Sequence, residues 1–249
     1  MISKNKIKLL RSLGTKKNRE NNNKSILEGV RLINESIKQN AQIKGIWISK
    51  EFNNLKNQII NKNHLIDYIE VDDFKLLSNT EHSQGIIAEV NTNLNHITNF
   101  AKKLNENIVV VDSISDPGNL GTIFRTCAWF GIKTIILSKN TTDAFNPKCL
   151  RAGMGSHFYF HHILKGNNQD IIELLSKNNL NILCADLEGD NINDIDIKDK
   201  RWALILGSEA NGISDDFLKY NKVTIKRNGS LESLNVSIAC GIILHQLLN

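Results

Sequence analysis

Two uninterrupted apolar runs, Asn107-Ile-Val-Val-Val-Asp112 and Arg201-Trp-Ala-Leu-Ile-Leu206, constrain the fold of this chain more than any other feature. Neither alternates apolar with polar residues, so a strand built from either is covered on both faces. Such strands belong to parallel sheets flanked by helices. The residues after the first run agree with that. Leu120, Ile123, Phe124, Cys127 and Ala128 recur at the spacing of an amphipathic helix, which Gly131 closes. Lys133-Thr-Ile-Ile-Leu-Ser138 then supplies the next strand and completes a βαβ unit.

The alternation continues to the C-terminus. Ile171–Leu175 reads as helix, Asn181–Ala185 as strand and Asp186–Asp199 as an acidic loop. Gly207-Ser-Glu-Ala-Asn-Gly212 follows the second apolar run, and Ser214-Asp-Asp-Phe217 starts a short capped helix. Val223–Ile225 is a strand, and Ser233 and Asn235 lead into an apolar helix ending at Leu248. Upstream lies a smaller α/β unit. Its helices are expected over Ile2–Leu13, from about Glu28, over Leu55–Asn61 and from Asp72, with Gly14–Lys24 as a basic loop. Its strands are expected at Gly45–Ser49, Ile66–Val71 and Gly85–Val90. The expected organisation is a first domain over 1–95, a linker over 96–106 and a second domain over 107–249.

Charge is uneven along the chain. Residues 1–50 carry 12 Lys and Arg against 3 Asp and Glu, a net +9, although the whole chain is only +5. Basic charge gathered at one end suits either a polyanionic partner or a solvated lysine-rich surface. Cys127, Cys149, Cys184 and Cys240 are scattered without a C-x-x-C pair, which fits free thiols in a reducing cytoplasm and argues against a zinc site. The histidines of His157-Phe-Tyr-Phe-His-His162 lack a carboxylate or cysteine at ligand spacing, so a packed or half-exposed strand is expected and no metal. No run has the length of a membrane span, and the first residues hold no secretion signal, so the chain is expected in the cytoplasm.

Polar, glycine-bearing loops at strand ends are where open α/β sheets bind ligands. Asp116-Pro-Gly-Asn-Leu-Gly121 is not G-x-G-x-x-G, and no phosphate-binding P-loop occurs, which disfavours a dinucleotide dehydrogenase and a P-loop NTPase. Asn146-Pro-Lys-Cys-Leu-Arg-Ala-Gly-Met-Gly-Ser156 is a second possible ligand-facing stretch. Arg125 lies at the border of its helix's apolar stripe, a position for an ordinary surface arginine or for a guanidinium that meets phosphate or carboxylate.

Three stretches resemble, in order, the three motifs of the SpoU (TrmH-like) RNA 2′-O-ribose methyltransferases of the SPOUT class. They are Asp116–Arg125, with Asn119 and Arg125; Leu206–Gly212; and Ile225–Ala239, with Ser233-Leu-Asn-Val-Ser237. Pro147–Gly155 also fits, and Glu28-Gly-Val-Arg-Leu-Ile33 resembles the entry to the L30e-like substrate-binding domain found at the N-terminus of many members. The resemblance implies an N-terminal L30e-like α/β domain and a C-terminal SPOUT domain, with a parallel sheet and a deep trefoil knot. It implies S-adenosylmethionine held by Leu206, Gly207, Ile225, Ser233 and Leu234, and catalysis by Arg125 organised with Asn119, Glu209, Ser233 and Asn235. It further implies a homodimer whose sites draw on both chains, no metal and no membrane, and an RNA substrate, 23S-type ribosomal RNA ahead of transfer RNA. The rival reading is a non-catalytic RNA-binding protein on the same fold.

Two points follow from that resemblance. Many members have Pro-Met after the isoleucine of the third motif, where this chain has Lys226-Arg227. Arg125 has two candidate roles. It is the base that takes the 2′-OH proton, a difficult task for a group so rarely deprotonated, or it binds the neighbouring phosphate while Glu209 or the phosphate takes the proton.

Overall fold

The computed structural model describes residues 2–60, 65–78, 80, 82–197 and 200–249. They form two compact units. The first runs to Asn93 and also takes up Asp143–Tyr159; the second comprises Leu94–Thr142 and Phe160–Asn249.

In the first unit, α1 (Lys4–Ser12) and α2 (Lys16–Asn22) lead into β1 (Lys24–Glu28). Then come α3 (Val30–Lys38), β2 (Ile43–Ser49), a 3-10 segment over Lys50–Gln58, β3 (Ile66–Ile69), α4 (Val71–Lys75) and β4 (Ile86–Asn91). The sheet order is β1-β4-β2-β3, with β4 antiparallel to both neighbours and β3 parallel to β2. Leu10, Leu13, Ile26, Trp47, Phe74 and Ile87 build its core. Glu89 is fully buried in β4 and pairs with Lys24 Nζ at 2.7 Å and with Lys6 Nζ. Burial alone would raise the Glu89 carboxyl, but the bonds from the two ammonium groups outweigh it and hold the group below its ordinary value.

The expected loop over Gly14–Lys24 is largely helix α2. Its turn is anchored by the buried Arg19, which donates from Nε to Asp143 Oδ2 at 2.8 Å and from Nη1 to the Leu13 carbonyl at 2.8 Å. That partner is 124 residues away, so no local pattern announces the helix. Glu28, expected to open a helix, ends strand β1 instead. Its Oε1 accepts from the hydroxyls of Ser78, Thr80 and Ser83 at 2.5, 2.7 and 2.8 Å. Helix α3 begins only after Gly29, whose φ of 102° lies where side chains are strained. The helix expected over Leu55–Asn61 is replaced by the 3-10 segment, and its last residue lies outside the described residues.

The second unit opens with β5 (Leu94–His96), β6 (Ile108–Val111), α5 (Pro117–Trp129) and β7 (Thr134–Ser138). The chain then enters the first unit as α6 (Pro147–Gly153) and a 3-10 turn, Ser156–Tyr159. It resumes with β8 (His162–Gly166), α7 (Asn168–Lys177), β9 (Asn181–Asn191), β10 (Trp202–Leu206), β11 (Asn221–Thr224) and α8 (Val236–Leu248). The seven strands are ordered β11-β9-β10-β6-β7-β8-β5, every pair parallel. The two apolar runs are thus the neighbouring central strands β10 and β6, buried at every residue.

Three boundaries differ from the expected ones. Residues 96–106, expected as a linker, group with the second unit, and Leu104 is buried, donating from N to Asn178 Oδ1 at 2.8 Å and accepting from Arg201 Nη1 at 2.6 Å. The acidic stretch from Asp186 continues β9 as far as Asn191. Its Gly189 lies so close to β11 that a Cβ would sit 2.5 Å from the Lys222 carbonyl carbon. A polar strand extension of this kind, paired with β11, carries no alternation to betray it. Finally, the histidine stretch is divided. His157 belongs to the 3-10 turn of the first unit and is fully buried, while His162 opens β8 in the second.

His157 stacks at a tilt on Phe145, with centroids 5.7 Å apart, and its Nε2 is 3.5 Å from Cys149 Sγ. Burial pushes its imidazole down to about 3. Because the folded value is depressed, the unfolded chain binds the extra proton, and stability present above pH 6.5 is lost as pH falls below it. Between pH 6.5 and 5 this loss should be about 2 kcal/mol, at about 1.4 kcal/mol per unit. Melting curves of wild type and His157→Phe across that range should diverge, the variant showing the flatter dependence; parallel curves would refute the assignment.

Candidate active site

The strand order reverses between β6 and β10, so the loops that leave their carboxyl ends lie side by side, the usual place for a ligand in an open α/β sheet. Asp112, just beyond β6, is fully buried and fixes this junction. Its N–H donates to the Leu206 carbonyl at 2.8 Å, and its Oδ2 accepts from Ser214 N at 2.7 Å. Ser214 was expected to cap the short helix with its side chain; it makes no such bond, and its backbone serves Asp112 instead.

Helix α5 starts as its sequence requires. Pro117 occupies the first turn, and Asp116 Oδ1 accepts from Asn119 N at 2.8 Å. That cap leaves the Asn119 side chain free to face outward. Its Nδ2 donates to Glu209 Oε1 in the loop after β10, and its Oδ1 accepts from Asn235 Nδ2 at 3.0 Å. Asn235 Oδ1 in turn caps α8, accepting from Ser237 N at 3.0 Å and Ser237 Oγ at 2.6 Å. The three motif regions are therefore joined by one polar relay, Glu209–Asn119–Asn235–Ser237.

Beside the relay lies a cavity of about 620 Å³. Leu206, Gly207, Ile225, Ser233 and Leu234, all expected to bind a cofactor, line it together with Glu209. The loop from Gly207 closes on itself through reciprocal backbone bonds of 2.9 Å between Ser208 and Gly212. A Cβ on Gly207 would lie 2.3 Å from the Gly212 carbonyl carbon and oxygen, so only glycine lets the loop turn this tightly. Asp186 is on the wall as well. Burial would raise its carboxyl, but the Glu188 N–H at 2.9 Å and Lys222 Nζ at 3.1 Å keep it below the ordinary range.

Arg125 stands apart from these groups. It is exposed on α5, does not line the cavity and has no hydrogen bond or ion pair among the described residues. Sequence reasoning also missed Asp112 and Asp186 as site residues, and named Ser237 in the third motif without a role. Asp116 was legible as an acid before a helix-starting proline; Asp186 carried no local signal. Cys184, behind the cavity, donates to the Phe217 carbonyl at 3.3 Å, and burial pushes its thiol up to about 12, which makes it an inert packing group. Among the described residues no cluster of His, Cys, Asp and Glu is arranged to hold a metal ion, and no helix is long and apolar enough to cross a membrane.

The SpoU rRNA Methylase family model matches residues 106–245, and the MRM3-like substrate binding domain matches residues 4–88. An "Uncharacterized tRNA/rRNA methyltransferase" of Borreliella burgdorferi is 31% identical over 84% of this chain and 94% of its own length. The 23S rRNA (guanosine(2553)-2′-O)-methyltransferase RlmP of Bacillus subtilis is 28% identical over 97% and 95%. Among solved structures, a TrmH-family protein from Porphyromonas gingivalis superposes with a TM-score of 0.83 at 27% identity, covering 99% of this chain and 98% of that one. The AdoMet-bound rRNA methyltransferase of Sinorhizobium meliloti gives 0.82 at 26%, covering 99% and 96%. With its family model matching residues 106–245 and its fold superposing on solved structures over nearly its whole length, the chain belongs to the SpoU rRNA methylase family.

Proposed function

We propose that the protein transfers a methyl group from S-adenosylmethionine to a ribose 2′-hydroxyl of ribosomal RNA of the 23S type. The observation that carries this reading is the relay from Glu209 through Asn119 to Asn235 beside a cavity with a glycine-turned wall. The cavity suits the cofactor. Gly212 and Gly229 meet nothing within 4 Å where a Cβ would project, Leu206, Ile225 and Leu234 offer apolar surface, and Asp186 and Glu209 offer anionic groups to a cationic ligand. Bound there, S-adenosylmethionine supplies an electrophilic sulfonium methyl, so the protein's task is chiefly to orient a nucleophilic oxygen in line with it. Gly207, Ile225, Ser233 and Leu234 hold the cofactor. Asn119 fixes the Glu209 carboxylate, which accepts the 2′-OH proton. Arg125 binds the phosphate beside the target ribose and stabilises the developing alkoxide.

The same reading includes a homodimer. Trp129, four residues beyond Arg125 on α5, is 86% exposed, and α8 presents Ile238, Ile242 and Leu248 to solvent. Apolar faces of this kind mark contact surfaces. A second copy covering them would bring Arg125, which does not line its own cavity, to the cavity of its partner. The reading also includes the trefoil knot: from β11 at the sheet's edge the chain returns along the cavity wall to pack α8 against α5. The basic residues of α1 and α2 would contact RNA phosphates, and the 2′-OH distinguishes RNA from DNA. The same reading has the enzyme work in the cytoplasm, where its RNA substrate would be.

Three outcomes are expected. Tritium from labelled S-adenosylmethionine should appear in a 2′-O-methylnucleoside of large ribosomal RNA and vanish in Arg125→Ala, with Arg125→Lys creating no new low-pKa limb in the pH–rate profile. Label in tRNA-sized RNA would redirect the substrate assignment, and cofactor binding without any transfer would favour an RNA-binding protein. Asn119→Ala should lower kcat about a hundredfold, the scale of losing one preorganised donor, while leaving cofactor affinity within about twofold. Gly207→Ala should weaken cofactor binding at least about tenfold, seen by calorimetry, because its Cβ displaces the loop.

A further inference from the structure

The loop between β11 and α8 carries a device that the family motif does not supply. Residues 226–234 have neither helix nor strand and are exposed throughout, yet Lys226, Arg227, Gly229 and Leu231 line the cavity. Both ends of this segment are secured. Ile225 follows directly on β11, and Asn235 caps α8 and donates to Asn119. Between those ends a single hydrogen bond is made among the described residues: Arg227 Nη1 donates to the Leu231 carbonyl at 3.2 Å.

We propose that Arg227 is a positioning residue for the cofactor site, clasping this strap into the shape that walls the cavity. The inference rests on the cofactor reading above. Gly229 lies inside the clasped turn and meets nothing within 4 Å at its Cβ position, so the turn has high backbone freedom of its own. Leu231, 80% exposed, gains no hold from burial. A cation donating to a carbonyl is then the one polar tie that restrains the segment, and a wall ordered before binding loses less freedom when ligand arrives. The guanidinium suits the task because its planar fork reaches a carbonyl while leaving other N–H groups in water.

The test uses the full-length chain without RNA. Arg227→Met keeps side-chain length and removes the donors; Arg227→Lys keeps a donor. Titration with S-adenosylmethionine should show Kd raised about tenfold in Arg227→Met, equivalent to about 1.4 kcal/mol, and partly restored in Arg227→Lys. KM for the cofactor should rise with it, while kcat at saturation stays within about twofold of wild type. Amide exchange of residues 228–234 in the free protein should quicken in the methionine variant. Unchanged cofactor affinity with a raised KM for RNA would overturn the proposal and assign Arg227 to an RNA phosphate. Unchanged affinity and unchanged exchange would remove any positioning role. Should wild type itself bind no S-adenosylmethionine, the cofactor reading fails, and the exchange rates alone still decide whether the clasp exists.

Discussion

The site depends on the orientation of one side-chain amide. Asn119 can face a carboxylate only with its NH2 group, and this leaves its oxygen to meet a donor. The donor is Asn235, whose own oxygen then faces the first turn of α8. Reversing any member would set acceptor against acceptor or donor against donor, so the chain of bonds has one polarity and each link enforces the next. Its members come from the first turn of α5, the loop after β10 and the cap of α8, between 26 and 116 residues apart in sequence. Whatever holds those three segments in register therefore also sets the chemistry.

That register comes from the sheet. Strands β6 and β10 are paired from Ile108–Ala203 to Val111–Leu206, and the next residue, Asp112, extends the pairing through its N–H before its carboxylate turns to hold Ser214. A buried carboxylate with a backbone donor anchors the exits of two adjacent strands at once. The Gly207 loop then needs to traverse only a tight turn to place Glu209 within reach of α5. Apolar strand content fixes the platform, and a few polar residues at its carboxyl end convert that platform into a site.

The legible parts of the sequence were those where local chemistry alone decides structure. Fully apolar strands, the 3.6-residue stripe of α5 and the Asn235 cap were each readable because a few adjacent residues determine them. The cavity wall at Leu206, Gly207, Ile225, Ser233 and Leu234 was readable through the motifs, whose members lie close in sequence. Features decided by distant partners were not. Helix α2 depends on Arg19 finding Asp143, and the outer half of β9 depends on β11 lying against Gly189. Segment 143–159 reads locally as part of the second domain, and only its packing with the first unit shows otherwise. Arg125 illustrates the converse case, a residue evident in the motif that makes no hydrogen bond or ion pair among the described residues.

The excursion of Asp143–Tyr159 has a consequence for how the protein is made. The polypeptide crosses between its two units three times, near residues 93, 142 and 159. During synthesis the first unit emerges early but lacks Asp143, the counter-charge of the buried Arg19, until 124 more residues have followed. Without Asp143 the first unit could not bury Arg19 as it does in the complete chain except as an unpaired cation, a costly arrangement. Asp143 itself follows β6, α5 and β7 in the chain. A fragment ending near residue 93 would therefore lack the Asp143–Tyr159 segment that completes the first unit, and with it the carboxylate that pairs with Arg19.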